Sequence, residues 1–308
     1  MKPNTLTKTS IVCLLAMVCC ILWGSAFPCV KIGYKMLNIQ ADDSASQILF
    51  AGMRFTLAGI IAIIIGSVIN KKPLIPSKSS WKRIMVLSSF QTILQYFFYY
   101  IGLANTTGVK ASVIVGTNVF TAILISAIIF KFEKMTAAKA IGCIVGFSGI
   151  IVMNLTDFNG SLNFNFKGDG MIFLSTLASA MSSVTLKKFS QQDNTVMLSG
   201  YQFLVGGIIM SIGGLAFGGK VTGFTAGSVA MLVYLAMVSA VAYSIWSILV
   251  KYNPISRVAV FGFMNPVFGV MLSALLLSEG KESFGLMGII ALALVCTGIF
   301  TVNKSQTS

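Results

Sequence analysis

Apolar residues run along this chain in long blocks, and the polar stretches between them are short. The blocks lie at 11–30, 47–69, 81–103, 109–130, 137–155, 170–189, 196–217, 225–250, 255–277 and 284–302. A helix rises ~1.5 Å per residue and the hydrocarbon of a bilayer is ~30 Å thick, so ~20 apolar residues make one crossing. The blocks lack the ~10-residue alternation of a membrane barrel strand. Lipid offers no partner to a backbone N–H or C=O, so blocks of this kind are helical. The pattern predicts an all-α membrane protein with ten transmembrane helices and almost no chain left for a soluble domain.

The blocks fall into two sets of five. Arg54-Phe55 followed by Ala58-Gly59 in the second block matches Gln202-Phe203 followed by Gly206-Gly207 in the seventh. Tyr96 and Tyr99 in the third match Tyr243 and Trp246 in the eighth, and Thr117-Asn118-Val119-Phe120 in the fourth matches Asn265-Pro266-Val267-Phe268 in the ninth. The offset stays near 147 residues throughout. Each half ends with a glutamate-containing loop (Glu133, Glu279) and a glycine-containing span closing on Asn154 or Asn303. An odd number of spans forces the second copy into the membrane upside down. Inverted repeats of this kind are frequent in secondary transporters, with the site near the midplane between the copies.

Trp23-Gly24-Ser25-Ala26-Phe27, Arg54-Phe55, Asn265-Pro266-Val267-Phe268 and the terminal Gly298-Ile299-Phe300 resemble the paired EamA-type domains of the drug/metabolite transporter superfamily. The resemblance covers residues 10–155 and 168–303 as two five-helix repeats. It implies a ten-helix inverted-repeat carrier of amino acids and other small metabolites. It further implies a central cavity lined mainly by the first, third, fourth, sixth, eighth and ninth helices. The chain departs from the family at Asn118, where proline is frequent, and at Ala180, where tryptophan is common.

Charge then orients the chain. The formal net charge is +14, which could suggest a nucleic-acid partner, but its distribution points elsewhere. With the N-terminus inside, one set of segments carries Lys2, Lys8, Lys71, Lys72, Lys78, Lys82, Arg83, Lys131, Lys134, Lys139, Lys187, Lys188, Lys251, Arg257 and Lys304. The other set carries Lys31, Lys35, Lys110, Lys167, Lys220 and Lys281. That asymmetry, 15 against 6, places both termini in the cytoplasm by the positive-inside rule and excludes a nucleic-acid role. The first block reads as an uncleaved span of the plasma membrane, too long for the core of a signal peptide. All six cysteines fall within blocks and imply no disulfide framework. With no histidine in the chain, imidazole metal sites and histidine acid–base chemistry are excluded; no metal or cofactor is expected.

Candidate cavity residues come from polar and aromatic stripes, because such groups are costly against lipid and turn inward. Gln91, Gln95, Tyr99 and Gly102 share one helical face, and so do Ser239, Tyr243 and Trp246. Tyr96 and Tyr100 point away from the glutamine stripe and read first as packing residues. Ser175, Ser179, Ser182 and Ser183 suit either a cavity wall or close helix packing. With Trp23, Asn118 and Asn265, the expected substrate-binding set is Trp23, Gln91, Gln95, Tyr99, Asn118, Ser179, Ser182, Tyr243, Trp246 and Asn265. Pro28 and Pro266 sit inside spans and would kink them, as static bends or as gating points. Arg54 lies seven residues beyond Gln47, ~10 Å into its helix. It reads first as a structural donor to a neighbouring helix, and second as a group that binds a substrate carboxylate. Lys110 and Arg257 occupy equivalent positions at opposite mouths, as interface anchors or as attractors of anionic solutes. Gly142 and Gly146 read as packing between helices of one chain or two.

The expected function is a secondary transporter of the plasma membrane that moves a small organic metabolite by alternating access. An amino acid or related zwitterion fits best, with export the favoured direction. The protein is expected to act as a monomer or weak homodimer in the bilayer. A carrier of phosphorylated or nucleotide-linked anions is the alternative, and would need two or more cavity Lys or Arg. An integral membrane enzyme is the remote alternative, since no span carries an acid–base pair. Without a carboxylate clearly inside a span, coupling is expected to follow the substrate gradient. Asp169 is the exception to watch, and reads as a helix N-terminal residue favoured by the dipole.

Overall fold

The protein is described by a computed structural model over residues 6–130, 135–153, 164–253, 258, 260–277 and 286–304. The helices are α1 (Thr9–Met36), α2 (Ser44–Ile69), α3 (Lys78–Ala104), α4 (Gly108–Ile129), α5 (Ala137–Met153), α6 (Phe166–Phe189), α7 (Thr195–Ala216), α8 (Ala226–Tyr252), α9 (Met264–Leu277) and α10 (Leu286–Lys304). Seven of them, α1 to α4 and α6 to α8, are long and apolar enough to cross a membrane; α5, α9 and α10 are apolar over shorter runs. The short polar connections do their local work at helix starts. Asp43, Ser77, Thr107 and Asn194 each accept a backbone N–H in the first turn, and Thr225 with Ser228 forms a capping box. These caps satisfy donors that the helices leave orphaned.

Several boundaries differ from the hydropathy pattern, and α1 runs on to Met36, six residues past its apolar block. α6 begins at Phe166, where a π-helical turn runs to Gly170, and so takes in Asp169. α9 begins at Met264 after a 3₁₀ turn over Val260–Phe263. Hydropathy registers composition and is blind to a change of helical pitch. Glu133, Glu279, Asn154 and Arg257 lie outside the described residues.

Helix pairing follows a reciprocal pattern. α1 packs on α8 and α9, and α6 packs on α3 and α4; α2 lies against α7, α4 against α9 and α5 against α10. Positions 147 to 148 apart meet one another: the Phe55 and Phe203 rings stack with centroids 5.3 Å apart, and the Tyr96 and Tyr243 hydroxyls are 2.7 Å apart. The α2–α7 crossing is close because glycine sits at the contact. A Cβ on Gly52 would lie 2.4 Å from the Ser211 nitrogen, and one on Gly207 would lie 2.3 Å from the Thr56 nitrogen. Gly142 and Gly146 face Gly298 of α10, so this small-residue pair packs within the chain.

Burial is inverted relative to a water-soluble fold. Ile60 and Ile64 on α2, Ile141 and Ile144 on α5, Ile212 and Leu215 on α7 and Leu275 on α9 are exposed on the outer surface. Arg54, Gln91, Thr92, Ser112, Ser175, Gln202 and Ser239 are buried. In water such apolar faces would drive aggregation; against lipid they cost nothing.

Candidate functional site: a central cavity

The helices enclose a cavity of about 270 Å³. All ten residues of the expected binding set line it: Trp23 from α1, Gln91, Gln95 and Tyr99 from α3, Asn118 from α4, Ser179 and Ser182 from α6, Tyr243 and Trp246 from α8, and Asn265 from α9. Ser175, Ser183 and Arg54 join them. Pro28 and Pro266 do not line the cavity. α1 runs through Pro28 unbroken, and buried Pro266 packs on Gly116 of α4. Opposite Pro266, α4 itself is interrupted at Thr117 between two helical segments. The interruption places Asn118 at the start of the second segment, facing the cavity near Asn265.

Tyr96 also lines the cavity, against the expectation that it packs away from the glutamine stripe. Residues Ser88–Leu94 of α3 form a π-helical stretch. A π turn inserts a residue relative to the 3.6 period and rotates the helix beyond it, so Gln91, Gln95, Tyr96 and Tyr99 all reach one wall. Tyr100 is fully buried and remains a packing residue. Gly102 packs on α6 beside Ile172, and Ser239 is buried against Arg54, so these two stripe positions lie off the cavity. Ala180 is buried with Ile125 and Val184, also off the cavity.

The walls are aromatic with neutral polar tips. Trp23 stands edge-on to Tyr243 and to Trp246 at 5.2 and 5.0 Å, and Phe27 lies 6.0 Å from Tyr99. Trp23 Nε1, Gln95 Oε1, Asn118 Oδ1 and Asn265 Oδ1 are buried polar atoms with no partner among the described residues. Buried polar groups ordinarily find partners, so these four are available to a solute. Arg54 is the sole ionic residue in the lining among the described residues. Its Nε donates to the Leu235 carbonyl at 3.0 Å, Nη1 to the Tyr100 hydroxyl at 2.7 Å and Nη2 to the Ser239 hydroxyl at 2.9 Å. The guanidinium thus ties α2 to α3 and α8.

The cavity lies off-centre along the bundle. From Phe27, Arg54 and Tyr99 its lining extends to Leu186, Val250 and Val258, at the end where α6 and α8 finish and α1 begins. The other end is joined across by a polar cluster that the sequence pattern did not single out. The Thr106 hydroxyl donates to Asp169 Oδ1 at 2.5 Å, and the Asn165 backbone N–H donates to Oδ2 at 3.1 Å. Lys110 Nζ stands 3.8 Å from Oδ2. Lys31 Nζ donates to the Thr106 carbonyl at 2.6 Å, and Asn165 Nδ2 to the Asn105 carbonyl at 3.0 Å. α1, the α3–α4 turn, α4 and α6 are therefore held together above the cavity. Asp169 does take a helix-start N–H, as expected. Its links to Thr106 and Lys110 depend on residues about 60 positions away, which no local pattern reveals. At the cavity's own end, Asp193 accepts from Ser80 at 2.7 Å and pairs with Arg83, joining α3 to the α6–α7 turn.

Apolar helices turned outward around an aromatic, hydrogen-bonding cavity define a multi-pass membrane transporter of small metabolites. The chain belongs to the EamA-like transporter family, whose profile matches residues 10–155 and again 166–304. It is 26% identical over 308 residues to an uncharacterized transporter, YvbV, of Bacillus subtilis, covering 98% of this chain and 94% of that protein. An uncharacterized transporter of Archaeoglobus fulgidus is 27% identical, with 97% and 99% covered. A probable amino-acid metabolite efflux pump of Escherichia coli is 25% identical, with 93% and 92% covered. One crystal structure shares the fold with a TM-score of 0.67 at 18% identity, covering 97% of this chain and 99% of that one.

Proposed function

We propose that this protein exports an amino acid or related zwitterion across the plasma membrane by alternating access. Ten spans in two inverted five-helix repeats, 10–155 and 168–303, would carry the exchange. The observation that carries the proposal is the cavity: residues from both halves, related by an offset of about 147, converge on it with unpartnered polar atoms among aromatic rings. The reciprocal helix pairing supports the inverted repeat. The polar cluster at one end and the lining that reaches the other fit a state closed on one side. With the positive-inside orientation, the cavity would face the cytoplasm, where an exporter loads. The Escherichia coli relative, a probable amino-acid metabolite efflux pump, agrees with export.

A carrier of phosphorylated or nucleotide-linked anions fits less well, because Arg54 is the sole Lys or Arg among the described lining residues. In the substrate-binding role, the aromatic rings would hold the body of the solute. Gln95, Asn118 and Asn265 would hydrogen-bond its polar end. Ser179 and Ser182 would supply a small polar wall; the Ser182 hydroxyl, like that of Ser175, donates to a carbonyl of its own helix and would offer its oxygen as an acceptor.

The test is reconstitution in liposomes with counterflow of labelled amino acids, nucleosides and organic cations. Amino acids should exchange and the other two classes should not. An imposed pH gradient at fixed internal pH should leave exchange unchanged, because the lining contains no Asp or Glu among the described residues. Exchange of nucleosides alone, or uptake that requires the gradient and vanishes in Asp169→Asn, would overturn the reading.

A further inference from the structure

We infer that Arg54 selects the cargo by its negative charge: the cavity accepts carboxylates with or without an ammonium group and turns away amines that lack a carboxylate. The inference rests on the transport reading above and adds which charge the site requires.

Arg54 is 2% exposed, ten residues past the start of α2, ~15 Å along the helix. Its three bonded partners are a carbonyl, a phenol and an alcohol, all neutral. The described acidic residues lie elsewhere. Asp42 and Asp43 precede α2, Asp169 is in the first turn of α6, and Asp193 is in the α6–α7 turn. The described ion pairs are Arg83–Asp193 and Lys110–Asp169. Arg54 therefore keeps a positive charge inside the bundle with neutral partners alone, three hydrogen bonds and the Phe55 ring 5.0 Å from its Cζ, and no ionic partner among the described residues.

A guanidinium offers five N–H groups. The three bonds leave one on Nη1 and one on Nη2. A carboxylate accepts from such a pair in parallel, and a phosphate or sulfonate can do the same. Arg54 contributes to the cavity lining, and the inference places a solute's anionic end against it. The rest of the described lining is neutral: rings of Trp23, Tyr99, Tyr243 and Trp246, and amides of Gln95 and Asn118. These surfaces tolerate an ammonium group by cation–π attraction and amide oxygens. They tolerate an uncharged ketone as well, since rings and amides also bind neutral groups. An amine alone brings a second positive charge into a low-dielectric cavity that already holds one and has no acid in its described wall. Like charges brought together at a site are strongly disfavoured.

The experiment uses the full-length protein in detergent for thermal shift, and in liposomes for competition against phenylalanine or leucine counterflow. Two matched sets are compared: phenylalanine, phenylpyruvate and phenethylamine; leucine, its 2-oxo acid and 3-methylbutylamine. The amino acid and the oxo acid should compete at comparable concentrations, and the amine should be at least about tenfold weaker. In Arg54→Gln the preference for carboxylate over amine should vanish, and Arg54→Lys should retain part of it. Arg54 also ties three helices, so melting in detergent first establishes that a variant folds; a folded Arg54→Gln that keeps the preference would overturn the inference, and where neither variant folds, amines that compete as well as their amino acids in the wild-type protein overturn it. Amines competing as well as their amino acids would overturn the inference while leaving amino-acid cargo in place. Amines competing where oxo acids do not would overturn it too. Failure of all six compounds, with exchange of another solute, would overturn both this inference and the amino-acid reading.

Discussion

Trp246 shows how much one residue's role depends on its surroundings. It packs edge-on against Trp23 on one side and lines the cavity on the other. A ring contact of this kind contributes about 1 kcal/mol beyond area burial. Trp246→Ala is expected to raise the KM for transport about fivefold, with little loss of folded protein, because its cavity side has no packing to lose. Tyr99→Ala should act in the same direction. Tyr243→Ala should cost more stability than either, because Tyr243 also bonds Tyr96 and packs on Phe203. The check is initial rates of counterflow alongside melting in detergent; wild-type KM in both Trp246→Ala and Tyr99→Ala would remove these rings from the site. The aromatic positions were legible from spacing alone, because an interior aromatic with a polar tip is costly to leave in lipid. Tyr96 was not, because a π turn upstream moved it by a rotation that helical spacing cannot anticipate.

Elements rather than residues meet at the far end of the cavity. Lys31, Thr106, Lys110, Asn165 and Asp169 come from α1, the α3–α4 turn, α4 and the start of α6. A hydrogen bond to an ionised group contributes about 1.5 kcal/mol, so removing one should shift an open–closed balance about tenfold. Thr106→Val deletes the hydroxyl that donates to Asp169 at nearly constant shape, and Asp169→Asn removes the charge. Both should speed labelling of a cysteine at Ala26→Cys, in the cavity lining, by an impermeant reagent applied from that end. Unchanged rates in both variants would show that the cluster is not a gate. The helices themselves were readable, since hydropathy and capping residues are local properties. The latch was not, because most of its bonds join groups about 60 positions or more apart, and although Lys110 and Asp169 drew notice singly, nothing local pairs them.

The whole molecule carries its charge at its ends. The asymmetry of 15 basic residues to 6 predicts that 70–79 faces the cytoplasm and that 218–225 faces outward. In a cysteine-free background, Lys220→Cys should label from outside intact cells and Lys72→Cys only after permeabilisation; both positions are exposed. The opposite pattern would invert the orientation and, with it, the side from which the cavity loads.

At this scale the chain alone determined that the protein lives in a membrane, where its helices run and which positions repeat. Each is a sum of single-residue transfer energies or a direct comparison of letters. Tertiary structure decided which polar groups converge. In lipid a helix is apolar toward its neighbours and toward the bilayer alike, so apolar periodicity does not say which face turns inward; a polar stripe marks that face but not the groups it meets. Close approach at Gly52 and Gly207, the interruption of α4 at Thr117 and the bonds of Arg54 set those faces. The glycine approaches and the Arg54 bonds are contacts between distant parts of the chain, with energies that no single segment contains.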